Sequence, residues 1–253
     1  MATGMITEAG LYRLLTWLSP AFPVGAYTYS HGIEKAVEAG LIRDAETLRR
    51  WIEAIVVRGA GRLDAAFFCA AWRAVGDDDE GALAQAAEWA DAMRATREMA
   101  LESAAQGQAF LDTLQAAWPE ARLLRWAAAL KATGRPAAYS VAVGVAAAVA
   151  MLPLRQALVA YLHAFAANLV SAGVRLVPLG QTDGQRATAA LEAASDEDRV
   201  VALFALYVHV QPSFTVGMHA LGAADLRLAA ATDPDRDLAR LRAAAVAVVV
   251  AVA

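Results

Sequence analysis

Ser30 and His31 stand side by side in Thr28-Tyr29-Ser30-His31-Gly32, a hydroxyl next to an imidazole, which is the pairing a hydrolase needs. A nucleophile elbow holds its serine on a strained strand-to-helix turn, with glycine two residues to either side. Thr28 occupies the first of those positions, no strand precedes it, and adjacent residues on a helix do not face each other. The segment does not encode that chemistry. Gly180-Gln181-Thr182-Asp183-Gly184-Gln185 is the other glycine-rich run. A phosphate-binding loop needs a lysine and a hydroxyl at its end to engage phosphate and magnesium. This run lacks the lysine and places an acid where phosphate would be repelled.

Metal binding fares no better. His31, His163, His209 and His219 are far apart, with no pair at the spacing that puts two imidazoles on one helix face. Cys69, flanked by Phe67, Phe68 and Trp72, reads as a small buried hydrophobe, and His163 on an apolar stretch reads as a hydrogen-bonded core residue. Asp77-Asp78-Asp79-Glu80 reads as a solvated turn that feeds negative charge into the next helix N-terminus. Glu34/Glu38 and Arg94/Glu98 read as solvated helix faces. No catalytic residue, metal ligand or cofactor is expected.

The elements that must carry these residues are helices. Hydrophobic residues make up 58% of the 253-residue chain, and alanine, the best helix former, dominates them. Charged residues are only 19%, which fits both a GC-rich gene and a surface covered by partners. The net charge of −4 and the lack of a basic stripe argue against nucleic acid. One cysteine excludes an internal disulfide and fits a reducing cytosol, and Met1 to Gly10 do not read as a signal peptide.

Thr7 is placed to cap a first helix whose Leu11, Leu14, Leu15 and Leu18 share a face, ended by Ser19-Pro20. Asp44 caps a second with Leu48, Trp51, Ile52 and Ile55 at helical spacing. Further helices are expected from about Arg62 to Val75, Gly81 to Met93 and Thr96 to Ala117, with Pro119 at the first position of another. Thr182/Gln185 and Ser195/Asp198 have capping-box spacing, the latter opening a helix through Val208. Pro136 to Leu154 and Gln156 to Val174 carry no charge and approach the length of a membrane span. Gln156, His163, Asn168 and Ser171 would be costly facing lipid, so both read as core helices. The fold expected is all-α, a single-domain helical bundle of about ten helices.

Two segments are richer than helix connections require. Ser19-Pro20-Ala21-Phe22-Pro23-Val24-Gly25 runs through Tyr29-Ser30-His31-Gly32-Ile33-Glu34 to Ala36-Val37-Glu38-Ala39-Gly40, with prolines and aromatics. Arg175-Leu176-Val177-Pro178-Leu179-Gly180-Gln181-Thr182-Asp183-Gly184-Gln185 mixes an extended proline segment with an amide-rich knuckle. These are the signature stretches of urease accessory proteins of the UreF type, which the chain resembles from Leu14 to about Leu191. Thr96-Arg97-Glu98 and Gln106-Gly107 add to the likeness.

The resemblance implies a homodimer in the cytoplasm that joins the UreD (or UreH) protein and the GTPase UreG to deliver nickel to the urease apoprotein. In that setting the chain is a scaffold and regulator, and the P-loop and nickel ligands belong mainly to its partners. Tyr27, Tyr29, Ser30 and Glu34 form one candidate partner-binding group, and Arg175, Gln181, Asp183 and Gln185 the other. Residues 1–212 form the UreF-like domain in this reading, and 213–253 a divergent tail. Members typically end in a polar tail, commonly Arg-Leu-Phe-Arg-Ser, that helps hold UreD/UreH. Here Asp233-Pro234-Asp235-Arg236 leads into an eleven-residue apolar run from Ala243, as a frameshift would leave. The rival readings are a helical enzyme with an unrecognised active site and a membrane-inserted helical protein.

Overall fold

A computed structural model describes residues 5–25, 30–94 and 96–192, which fall within one compact unit of residues 1–201. Every regular element among them is a helix: α1 (Glu8–Trp17), α2 (Ile33–Glu38), α3 (Ala45–Arg58), α4 (Ala60–Gly76), α5 (Glu80–Ala92), α6 (Arg97–Ala117), α7 (Ala121–Ala132), α8 (Tyr139–Val149), α9 (Leu154–Leu176) and α10 (Gln181–Ala190). Tyr27, Tyr29, the Ser195/Asp198 cap and the segment 213–253 lie outside the described residues.

Helix starts fall where a side chain can take up the open backbone N–H groups. The Thr7 hydroxyl accepts from Gly10 at 3.0 Å, and the Asp79 carboxylate from Ala82 at 2.8 Å. Asp44 and Thr47 exchange side-chain and backbone bonds in a capping box. Two starts differ from expectation. Pro119 stands one residue outside the α7 cap, Glu120, and not within the helix. In α10 the reciprocal bond comes from Asp183, whose carboxylate accepts the Gly180 N–H at 3.3 Å, so the helix opens at Gln181, ahead of Thr182.

The larger of two cores is built around α8, whose residues from Ser140 to Val149 are all buried. Its small side chains let α4 lie very close: a Cβ on Gly144 would come within 2.6 Å of the Phe68 carbonyl oxygen. Cys69 is fully buried in this core, as its neighbours foretold. The smaller core joins Ile33, Ala36 and Ile42 to Leu48, Ile52 and Val56 of α3, Leu169 and Val170 of α9, and Ala187 and Leu191. α9 serves both, with Leu158, Tyr161 and Leu162 in the larger and Ala166, Leu169 and Val170 in the smaller. It is the one described helix long and apolar enough to cross a membrane, and about half of its most apolar stretch is buried, in packing against α2, α3, α4, α8 and α10.

The leucine face of α1 is only partly used. Leu14 is buried and Leu18 packs against the core, but Leu11 and Leu15 are 48% and 67% exposed. With Val159 and His163 of α9 they line an apolar groove. His163 is therefore an exposed residue and not a core histidine, because the α9 face that carries it has no helix over it among the described residues.

Candidate partner-binding site

The first motif is held by its apolar residues. Phe22 and Val24 are buried, and the Phe22 ring lies 5.3 Å from Phe110 and stacks 6.5 Å from Trp118. Short-range bonds fold the chain between them: Phe22 N–H to the Ser19 carbonyl at 2.9 Å, and Val24 N–H to that of Phe22 at 2.8 Å. Further on, the half-buried Ser30 gives its carbonyl to the Ile33 N–H at 3.0 Å. His31 takes a positive φ of 47° to turn the chain into α2. α2 closes at Gly40, whose left-handed φ of 69° lets Leu41 donate to Ala36 and Gly40 to Val37, a Schellman closure. Ile33 and Ala36 point into the smaller core, which leaves Glu34 exposed in the first turn.

The second motif is anchored in that same core. Val177 is 2% exposed and Leu179 packs beside it, in a tight turn closed by Leu179 N–H to the Val177 carbonyl at 2.6 Å. Arg175 is exposed in the last turn of α9 and donates to the Ser171 hydroxyl at 2.9 Å. Gln181 and Gln185 are exposed on α10. Asp183 is half-buried and occupied, capping α10 and pairing with Arg186 at 2.9 Å, so its first task is structural. Thus Glu34, Arg175, Gln181, Asp183 and Gln185 sit on helices that pack the smaller core, and Ser30 stands in the chain leading into α2, although they belong to two distant stretches of chain.

A buried polar cluster beneath the first motif was not anticipated. Asp64 of α4 and Arg94, between α5 and α6, pair at 2.7 Å with both side chains 9% exposed. The Arg94 Nε also donates to the Ala90 carbonyl, and the Tyr161 hydroxyl donates to Asp64 at 3.2 Å. Arg94 is therefore not a solvated partner of Glu98: an arginine fork reaches inward because a buried carboxylate needs a donor of opposite charge. Glu98 instead stays in the first turn of α6, where its own backbone N–H and Thr96 hold its carboxyl below the usual range. Glu34 and Glu38 are exposed as expected, Glu38 pairing with Lys35 at 2.9 Å.

Glu102 of α6 lies close by, accepting from the Gln106 amide at 2.9 Å. Burial pushes its carboxyl up to about 7, with the charge on Asp64 adding to the effect. Burial lowers the His31 imidazole, whose ring meets Phe165 edge-on at 5.3 Å. Burial likewise drives the Tyr161 phenol far above its ordinary range. These groups line a cavity of about 70 Å³ together with Ser19 and Phe22 of the first motif. One sequence signal for it existed: Asp64 is a lone charge in the apolar run Leu63-Asp64-Ala65-Ala66-Phe67-Phe68. Among the described residues no group of three His, Cys, Asp or Glu side chains is placed to hold a metal ion.

Residues 42–192 match the UreF family model. The chain is 51% identical over 189 residues to the urease accessory protein UreF of Granulibacter bethesdensis, covering 75% of this chain and 79% of that one. It is 51% identical over 200 residues to the UreF of Rhodopseudomonas palustris strain BisB5, covering 78% and 81%. For the UreF of Bradyrhizobium diazoefficiens the figures are 50% over 186 residues, covering 74% and 76%. These relatives carry the name of an accessory protein, not of an enzyme. With more than half its length matched by the family model and three-quarters of it shared at about 50% identity, the chain belongs to the UreF family of urease accessory proteins.

Proposed function

We propose that the chain acts in urease maturation as a non-catalytic scaffold, binding UreD/UreH and the GTPase UreG and regulating that complex while nickel is inserted into the urease apoprotein. The observation that carries this reading is the shared seat of the two motifs. Buried Ile33, Ala36, Val177 and Ala187 fix their backbones on one small core, while Glu34, Arg175, Gln181 and Gln185 stay exposed. Rigid elements with exposed polar and amide groups suit recognition, because little conformational freedom is lost on binding. The apolar groove lined by Leu11, Leu15 and Val159 is surface of the kind a further chain covers, which supports a homodimer. The proposed compartment is the cytoplasm, where urease and the GTPase would be met.

Co-purification of the tagged chain with UreD/UreH and UreG tests the reading. Expected is a complex containing all three, together with loss of urease activation in a strain lacking the chain. Absence of any complex, with urease still activated in that strain, would sink it.

A further inference from the structure

The cavity beneath the first motif is lined by two kinds of side chain. Leu18, Pro20, Met99 and Phe165 are apolar, Pro20 exposed and the other three half-buried. Asp64, Arg94, Glu102 and Asn168 are polar, and the side chains of the first two are only 9% exposed. The apolar wall therefore lies toward solvent and the charge lies deeper. That charge does not balance. Arg94 is taken up by Asp64 at 2.7 Å, and the second Asp64 oxygen accepts from Tyr161. Glu102 accepts from the Gln106 amide at 2.9 Å, and among the described residues no cation pairs with it. The Asn168 amide also lines the cavity, with no hydrogen-bond partner among the described residues.

We propose that this cavity receives a lysine side chain of a partner chain, its stem along Leu18, Pro20, Met99 and Phe165 and its ammonium against Glu102 and Asn168. The inference rests on the scaffold reading and adds the chemistry by which one surface of the scaffold is recognised. Charge is the first argument. With Glu102 ionised, two acids face one arginine, so the cavity is short of one positive charge, and a carboxylate enclosed without a counter-ion is costly. Asn168 offers a free carbonyl oxygen as a second acceptor for the same ammonium.

Size and polarity give the same answer. At roughly 10–15 Å³ for each water-sized position, a cavity of about 70 Å³ offers about as many positions as a lysine side chain has heavy atoms. An apolar wall leading to a polar end matches the aliphatic stem and charged head of that side chain. Arginine fits less well. Its planar fork seeks two acceptor oxygens side by side, and Gln106 already holds one oxygen of Glu102, whereas an ammonium is a compact point charge. The shortage of positive charge also agrees with the Glu102 carboxyl, which burial raises to about 7.

Two measurements test this. In the first, the isolated chain at about pH 8, where Glu102 is mostly ionised, is titrated with n-butylammonium chloride, n-butanol and sodium butyrate at constant ionic strength. The Asn168 side-chain amide and Met99 methyl signals are followed by NMR. Expected are saturable shifts with butylammonium at a concentration at least about tenfold below that needed for butanol, no response to butyrate, and loss of the butylammonium advantage in Glu102→Gln. An equal response to butanol, a preference for butyrate, or undiminished butylammonium binding in E102Q would overturn the proposal. If E102Q fails to fold, the three probes on the unaltered chain decide. In the second, capture of UreD/UreH and UreG by E102Q is expected to fall at least about tenfold below that by the unaltered chain. Butylammonium binding with unchanged capture would assign the cavity to a free amine and overturn the partner lysine while the scaffold reading stands. No capture even by the unaltered chain would remove that reading, and the partner lysine with it.

Discussion

Arg94 and Arg125 are both arginines paired with carboxylates, and their surroundings make them unequal. Arg94 meets Asp64 where both are 9% exposed, whereas Arg125 reaches Asp78 and Glu80 with its side chain 47% exposed. Breaking a buried pair strands the other charge, which costs about 3–5 kcal/mol, while a solvated pair loses little when water can replace it. Arg94→Ala is therefore expected to lower the urea midpoint sharply, and Arg125→Ala hardly at all. Combining Asp64→Leu with Arg94→Met should recover most of the loss, since no buried charge is then left alone; a double variant as unstable as R94A would refute this. At this scale much was readable in advance. Thr7 and Asp44 cap helices as their types demand, because a cap is a local bond between near neighbours, and Thr96, expected as the first residue of its helix, is the cap just before it. Asp64 was not assigned a role, because its partners Arg94 and Tyr161 stand 30 and 97 residues away in the chain.

Helix existence follows from composition and local caps, but which face each helix buries depends on neighbours that periodicity does not name. Leu11 and Leu15 show this, standing at core spacing and yet facing a groove. α8 shows the reverse, since a helix apolar all round has no face to choose and the core reading was safe. Its crossing with α4 gives the element-scale prediction. Gly144→Val would drive a branched side chain into the Phe68 carbonyl, a backbone atom that cannot rotate aside. A loss of about 3 kcal/mol is expected from overpacking, with a lower thermal midpoint. A change of a few tenths only would mean that α4 and α8 can part without cost. Local patterns placed α10 close to its true start, but Asp183 captured the cap, because its carboxylate reaches the Gly180 N–H, two residues ahead of the Thr182 first chosen.

For the molecule, the partner surface and the stability of the fold are separable. Gln181 and Gln185 are exposed and have no part in the cap of α10. Replacing both by alanine is expected to leave the thermal midpoint within about a degree, since exposed substitutions on a helix contribute little. Capture of the partner complex should fall by about tenfold if the pair lies at a recognition centre. Unchanged capture would move the contact elsewhere. That α2 and α10 share a core was not readable, because some 140 residues of chain part the two motifs and only the path of α9 and α3 brings them together. The smaller core, with its dozen buried residues, is also the natural unit of partial opening. Should α2, α3 and α10 loosen together while the α8-centred core stays intact, α2 at the end of the first motif and the start of α10 in the second would melt in one event, with Phe22 and Val24 still held in the larger core. A ligand that grips either motif would then slow amide exchange in the other, without any contact between the two.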